Sequence, residues 1–250
     1  MQARDGTPVA LKVLNPKSEL GTDEAIASLA IEIIVGRHSN SDRVIEHKGY
    51  GCTDSVIFIA RELAHAIPYQ SVRDLPPKNA ANYFWQFCES VLAIHGIGFA
   101  VVDVVPSNFL LCERGIVLAD LGSARRVRCD AAGSETVTST VLAISQRTNR
   151  ELGHAQIVTE GAYAWDVAGL ALIFFESLTG MKAPGTEYFP YLPCKAVSIP
   201  RPSSVSKTTL PVFDEIVTQM FDQFRATDPI SLSVFASRLR EIAGHDSDHL

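Results

Sequence analysis

Apolar positions change their period partway along the chain, and that change divides it into two regions. Thr7–Leu14 (TPVALKVL) is a β-branched, apolar run behind an Asp-Gly turn signal, which predicts a strand. Thr22 or Asp23 caps a helix predicted to run through EAIASLAIEIIVG to Gly36. Arg43–Tyr50 and Ser55–Ala60 then read as two strands around the turn Gly-Cys-Thr-Asp. Between residues 62 and 68 the pattern gives way to helical spacing. Asn79–His95 places Tyr83, Phe84, Phe87, Val91 and Ile94 at that spacing, so most of them are core. Two strand-like apolar runs, FLL and GIVLAD, follow within Val101–Gly122, and the polar stretch Arg125–Thr140 reads as loop.

Ala164–Leu178 is apolar nearly all round and predicts a helix buried in the middle of a larger domain. The Pro- and Ser-rich stretch Gly180–Thr209 reads as loop, and Val212–Phe224 and Ser231–Ala243 as two amphipathic helices. Strands with one helix, followed mostly by helices, predict an α+β layout in two lobes. The expected limits are 1–63 for the first lobe, 64–243 for the second, and 244–250 for a disordered tail.

Composition narrows the classes. With 250 residues, 46% hydrophobic and 20% charged, the chain is an ordinary globular one with room for a sizeable core. A net charge of -6 argues against a general nucleic-acid or anionic-membrane surface. The longest apolar run, Val167–Phe175, is too short to span a bilayer, and the start MQARDG shows no secretory pattern. Five cysteines, odd in number and without Cys-x-x-Cys spacing, argue against a disulfide framework or a zinc site. Reduced thiols in cytoplasm or nucleus are the expectation.

Candidate chemistry concentrates in Val101–Gly122 (VVDVVPSNFLLCERGIVLADLG). Asp103, Asn108 and Asp120 put polar oxygens at the ends of the two apolar runs. Such a set suits a base and two oxygen ligands converging on a metal-bound phosphate. Lys12 stands alone inside its apolar strand, a costly place unless its head snorkels at an edge or reaches an anion. Glu32, among Ile31, Ile33 and Ile34, points inward or at an edge and suggests an ion pair with that lysine. Glu24 competes for the same role, being nearer the helix start where the dipole favours a carboxylate. Asp166 reads as an N-terminal cap, with a stronger role if its helix end is buried.

Taken together these residues resemble the eukaryotic protein kinase family. Ala10-Leu11-Lys12 resembles its strand lysine motif, Glu32 the partner glutamate, and VVDVVPSN at Val101–Asn108 the catalytic loop. Asp120-Leu121-Gly122 resembles the Asp-Phe-Gly motif, and DVAGLA at Asp166–Ala171 the start of the buried central helix. Five pieces stand in the family order, with Asp120 seventeen residues after Asp103. Asp-Leu-Gly, the Ser107-Asn108-Phe109 run and the central helix also resemble spindle-checkpoint kinases and their pseudokinase relatives.

The resemblance implies a bilobal fold, ATP and Mg2+ as cofactors, and a protein substrate or partner, without nucleic acid or membrane. It implies that Lys12, positioned by Glu32, holds phosphates, that Asp103 is the catalytic base, and that Asn108 and Asp120 are the metal ligands. Glu62 and Leu63 would be the hinge residues beside adenine, with Arg61 at the gatekeeper position.

Several positions depart from the family pattern. No Gly-rich phosphate loop occurs in the eleven residues before Lys12, so the expectation is either an incomplete chain or a first lobe that lacks its first two strands, stands open on that side and binds nucleotide weakly. Val101 and Val102 replace His and Arg, and Val105 stands where Ser/Thr kinases carry a lysine. A cation at Arg61 would obstruct or polarise the adenine pocket, and Gly36 replaces a bulky residue one turn after Glu32. Ser145–Glu151 (SQRTNRE) replaces Ala-Pro-Glu, and Leu232 the late arginine; the loss of both partners of one buried pair is physically consistent. Two readings follow: a slow, divergent Ser/Thr protein kinase, or a pseudokinase acting as an interaction or scaffold module. A small-molecule phosphotransferase of the same fold is third.

Overall fold

The computed structural model describes residues 6–14, 22–53, 56–67, 72, 74–129, 135–137, 162–183, 198–206, 211–223, 226 and 229–244. The fold is α+β. The first region is a three-stranded antiparallel sheet of order β1-β3-β2, formed by β1 (Val9–Val13), β2 (His47–Cys52) and β3 (Ile57–Glu62). Helix α1 (Thr22–Ser39) connects the first two strands. β3 is central: Arg61 pairs with Ala10 on β1 and with His47 on β2. That register brings residues from both outer strands beside Arg61.

The chain changes sheets between Glu62 and His65. β4 (His65–Ala66) pairs with β6 (Phe109–Cys112), which pairs with β7 (Gly115–Leu118). Between them run α2 (Pro77–His95) and β5 (Phe99–Ala100), and a 3-10 turn, Pro106–Asn108, leads into β6. Helices α3 (Ala162–Thr179), α4 (Pro202–Val205), α5 (Val212–Asp222) and α6 (Leu232–Ala243) complete the described part. The two regions are joined outside the hinge as well. Ile45 N–H donates to Leu118 O at 2.9 Å, and Leu118 N–H donates to Arg43 O at 2.9 Å.

The core sits among α2, α3, α5 and α6. α2 turns Phe84, Phe87, Val91 and Ile94 inward at helical spacing, as the sequence pattern predicts. Phe84 stacks on Phe174 of α3 with centroids 4.2 Å apart and meets Phe213 of α5 edge-on at 5.5 Å. Such pairs contribute roughly 0.5–1.5 kcal/mol each beyond the area they bury. α3 reaches 18 residues, long and apolar enough to cross a membrane by length and composition alone, but 83% of that window is buried inside the protein. It is a core helix here.

Sequence expectation and structure differ in several places, among them Gly180–Thr209, expected as loop, which contains α4. Arg125–Thr140 is not all loop: β8 (Arg125–Cys129) pairs with β5 and with β9 (Glu135–Val137). Backbone pairing makes this strand, with Val127 N–H also donating to Gly98 O at 2.9 Å, so arginine-rich composition hides it. α1 runs through Gly36 to Ser39, and Gly36 leaves the space that the His47 ring fills: a Cβ there would come within 2.5 Å of it. Asp166 lies in the second turn of α3 rather than at its start. Ser231 is the N-cap of α6, its hydroxyl accepting from Ser233 N–H at 3.4 Å, and Gly244 closes that helix at φ 73°. The expected tail beyond it, the Ser145–Glu151 segment and the capping side chains of Thr22 and Asp23 lie outside the described residues.

Gly169 shows how tightly α3 meets the central stretch. A Cβ there would stand 2.8 Å from Val104 Cβ, with helix backbone on one side and the buried Val104 on the other. Gly169→Ala is therefore expected to destabilise the protein by about 1–3 kcal/mol, read as a lower urea midpoint. An unchanged midpoint would mean that this contact relaxes freely.

Candidate active site

Lys12 of β1, Glu32 of α1 and Asp120, just beyond β7, converge on one point. Lys12 Nζ donates to Glu32 Oε2 at 2.7 Å and to both oxygens of Asp120 at 3.0 Å. Glu32 is fully buried, as its isoleucine neighbours predict, whereas the Lys12 and Asp120 side chains keep 33% and 42% of their exposure. The lysine thus has an anion on each side, and the snorkelling alternative is excluded. Glu24, the competing partner, has no described side chain.

Arg61 completes the cluster. Its guanidinium pairs with Glu32 Oε1 and keeps 12% of its exposure, so the carboxylate has a cation on each oxygen. Sequence reasoning placed Arg61 beside the site but missed this partner; a charged residue directly following the apolar run Ile57–Ala60 was the signal. His47 was missed outright. Its Nε2 lies 3.9 Å from Glu32 Oε1, and among the described residues neither ring nitrogen has a hydrogen-bond partner.

Burial lowers the pKa of Lys12, partly offset by Asp120, while Arg61 lowers it further. Burial likewise lowers that of Arg61. Asp120 is pushed up by burial, but the charge and hydrogen bonds of Lys12, the Gly122 N–H and Arg61 outweigh it and hold the carboxyl low. It stays ionised at neutral pH and suits a divalent cation.

Asp103 and Asn108 form the second half. Asn108, nearly fully buried, donates from Nδ2 to Asp103 O at 2.9 Å and to Asp103 Oδ2 at 3.1 Å. Ala119 N–H donates to Asn108 O at 2.8 Å, tying this pair to the strand that ends at Asp120. The anchor beneath is Asp166. Fully buried, it accepts from Val101 N–H at 2.7 Å and Val102 N–H at 2.8 Å, and meets His95 Nε2 at 2.8 Å. Val102 stands at φ 70°, a conformation costing a β-branched residue about 1–3 kcal/mol. Those bonds hold the backbone there, so the role of Asp166 exceeds that of a cap.

Glu62 and Leu63 sit where the chain leaves β3. The Glu62 carboxylate accepts from Glu46 N–H at 2.8 Å and from Arg114, while the Leu63 side chain is half-exposed. Neither reaches the Lys12 cluster through a described contact.

Comparison with known proteins bears on the family and the fold. A family model described as the protein kinase domain matches residues 1–185. A curated relative, the dual specificity protein kinase Ttk of Danio rerio, is 29% identical over 93 residues, covering 36% of this chain. Those residues are 10% of the Ttk chain, so this chain matches only a tenth of that relative. Among solved structures, a point mutant of the Mycobacterium tuberculosis PknI kinase domain superposes with a TM-score of 0.60 at 20% identity, covering 94% of this chain and 85% of that one. At that identity the likeness speaks to fold alone.

His47 makes the site sensitive to acid. Burial and the Lys12 charge lower its pKa below the usual 6.5, so the unfolded chain takes up a proton first. Stability is expected to fall as pH drops from about 6.5 toward the folded-state pKa. His47→Gln should flatten that part of the profile in melting scans from pH 7.5 to 5; an unaltered slope would assign it elsewhere.

Proposed function

The chain belongs to the protein kinase family, and from that membership we propose that it transfers phosphate from ATP to hydroxyl groups of proteins. The observation that carries this reading is the meeting of Lys12, Glu32 and Asp120, with Asn108 bound to Asp103 next door. These are the residue types phosphoryl transfer needs: a cation for phosphate, oxygen donors for metal, and a carboxylate base.

The donors fit magnesium nucleotide. Asp120 keeps 42% of its side-chain exposure, and Asn108 commits its amide nitrogen to Asp103, leaving the carbonyl oxygen as its acceptor. One carboxylate and one amide oxygen suit magnesium, which is bound through one or two protein groups together with phosphate and water. When bound, it would offset the charge of the phosphates. Lys12 then holds phosphate, and Asp103 accepts the proton of a Ser or Thr hydroxyl. Glu62 and Leu63 lie in the segment that would flank adenine.

Turnover should be slow. Val105 brings no cation to the transferring phosphoryl group, and Val102 gives no partner to a phosphorylated loop. The same valines and the Arg61–Glu32 pair favour a second reading, an interaction module with little or no catalysis.

Melting scans with millimolar ATP, with and without magnesium, test the first reading. A magnesium-dependent rise in Tm of a few degrees is expected, with the metal dependence lost in Asp120→Asn. No shift at millimolar ATP would leave the interaction module as the better reading.

A further inference from the structure

Helix α1 is apolar on two opposite faces, and one of them is turned to solvent. Toward the interior it presents Ala25, Leu29 and Val35, all buried, together with Glu32. Toward solvent it presents Ile26 and Ile34, which keep 40% and 50% of their exposure, with the exposed Ala30 between them. The half-buried Ala27 and Ile33 flank these three. A helix that is apolar all round is ordinarily covered all round. One exposed isoleucine would need no explanation, but these positions follow at i, i+4 and i+8 and form a continuous stripe.

The order of residues along the stripe points to what fits it. Counted from Ala30, it reads alike in both directions. Ile26 lies four residues before and Ile34 four after, while Ala27 lies three before and Ile33 three after. A second α1 laid antiparallel across the first, with Ala30 on the axis, sets Ile26 against Ile34 and Ala27 against Ile33. Ala30 then meets its own counterpart, and the small side chain lets the helices approach. Charge extends the match. The exposed Arg37, whose Nη1 donates to the Tyr50 hydroxyl at 3.1 Å, lies seven residues after Ala30. Asp23 stands seven before it in sequence, so the same register sets an acidic position against a basic one at each end.

We propose that this face of α1 is a homodimer contact in which two copies pair antiparallel about a two-fold axis at Ala30. Such a contact is isologous, so each pairing occurs twice and the assembly closes at two copies. An unrelated partner helix would not call for symmetry about Ala30, and a second copy does. One helix pair is small against the ~1,200 Å² at which stable interfaces begin, so the dimer is weak, with Kd on the order of 10–100 μM. The pairing is independent of the phosphotransfer reading, because it uses the face of α1 opposite Glu32.

Sedimentation velocity of the full chain from about 5 to about 200 μM reads the pairing. The boundary should shift toward twice the mass of one chain as concentration rises. Ala30→Glu, which brings two like charges together on the axis, should abolish the shift. Ile34→Lys, at a half-exposed position, should do the same and serves if Ala30→Glu melts early. Asp23→Arg and Arg37→Asp each set like charges opposite one another and should weaken the dimer roughly fivefold or more. The exchange Asp23→Arg/Arg37→Asp should restore most of the affinity, a recovery that follows from this register and not from general stickiness. A chain that stays monomeric at the highest concentration overturns the proposal. A dimer untouched by Ala30→Glu and Ile34→Lys, or no recovery in the charge exchange, overturns it as well.

Discussion

A single buried carboxylate, that of Glu32, ties the first region of the protein together. It has no contact with water, so its charge must be matched by side chains. Lys12 reaches it from β1 and Arg61 from β3, while Glu32 itself is carried on α1. Three elements that share little apolar core are thereby fixed to one another. Because Lys12 also grips Asp120 at the end of β7, the same cluster spans to the second region. Electrostatics here does what packing does elsewhere in the molecule.

The second region depends on a different buried carboxylate. Asp166 holds the backbone of Val101 and Val102 in a strained shape, and α3, which carries it, is fixed by its Phe174 stacked on Phe84 of α2. Apolar packing therefore sets the height of Asp166, and Asp166 sets the path of the segment bearing Asp103 and Asn108. The loss of His and Arg side chains at Val101 and Val102 leaves this arrangement intact because Asp166 binds backbone N–H groups, which any residue supplies. The absence of those side chains and the ordered geometry of the Asp103 segment are compatible for that reason.

Much of this was legible in the sequence. The change of hydrophobic period marked the two regions, and the spacing of Asp103, Asn108 and Asp120 marked the central stretch. Glu32 was readable as buried because isoleucines surround it. Features that depend on register were not readable. Arg61 meets Glu32 only because β3 is the central strand, and His47 reaches the cluster only because Gly36 leaves room for its ring. The strand at Arg125–Cys129 escaped notice because its stability lies in backbone pairing, which leaves little trace in side-chain pattern. Asp166 looked like a cap because sequence shows distance from a helix start but not which backbone a buried oxygen faces.

The residues proposed to hold phosphate and metal and the absence of their usual supports pull the functional reading in opposite directions. Lys12 and Asp120 already stand in contact, and Asp103 is held by a buried amide. On the proposed phosphotransfer reading, this arrangement carries out chemistry, however slowly. The most direct measurement is transfer of the labelled γ-phosphate of ATP to a mixed protein acceptor over hours, in parallel for the unaltered chain and Asp103→Asn. The account predicts slow, magnesium-dependent labelling of serine and threonine that falls at least a hundredfold in Asp103→Asn, in line with about 10²–10⁴-fold from a positioned base. Labelling that persists unchanged in Asp103→Asn, or that is absent while nucleotide is bound, would contradict it.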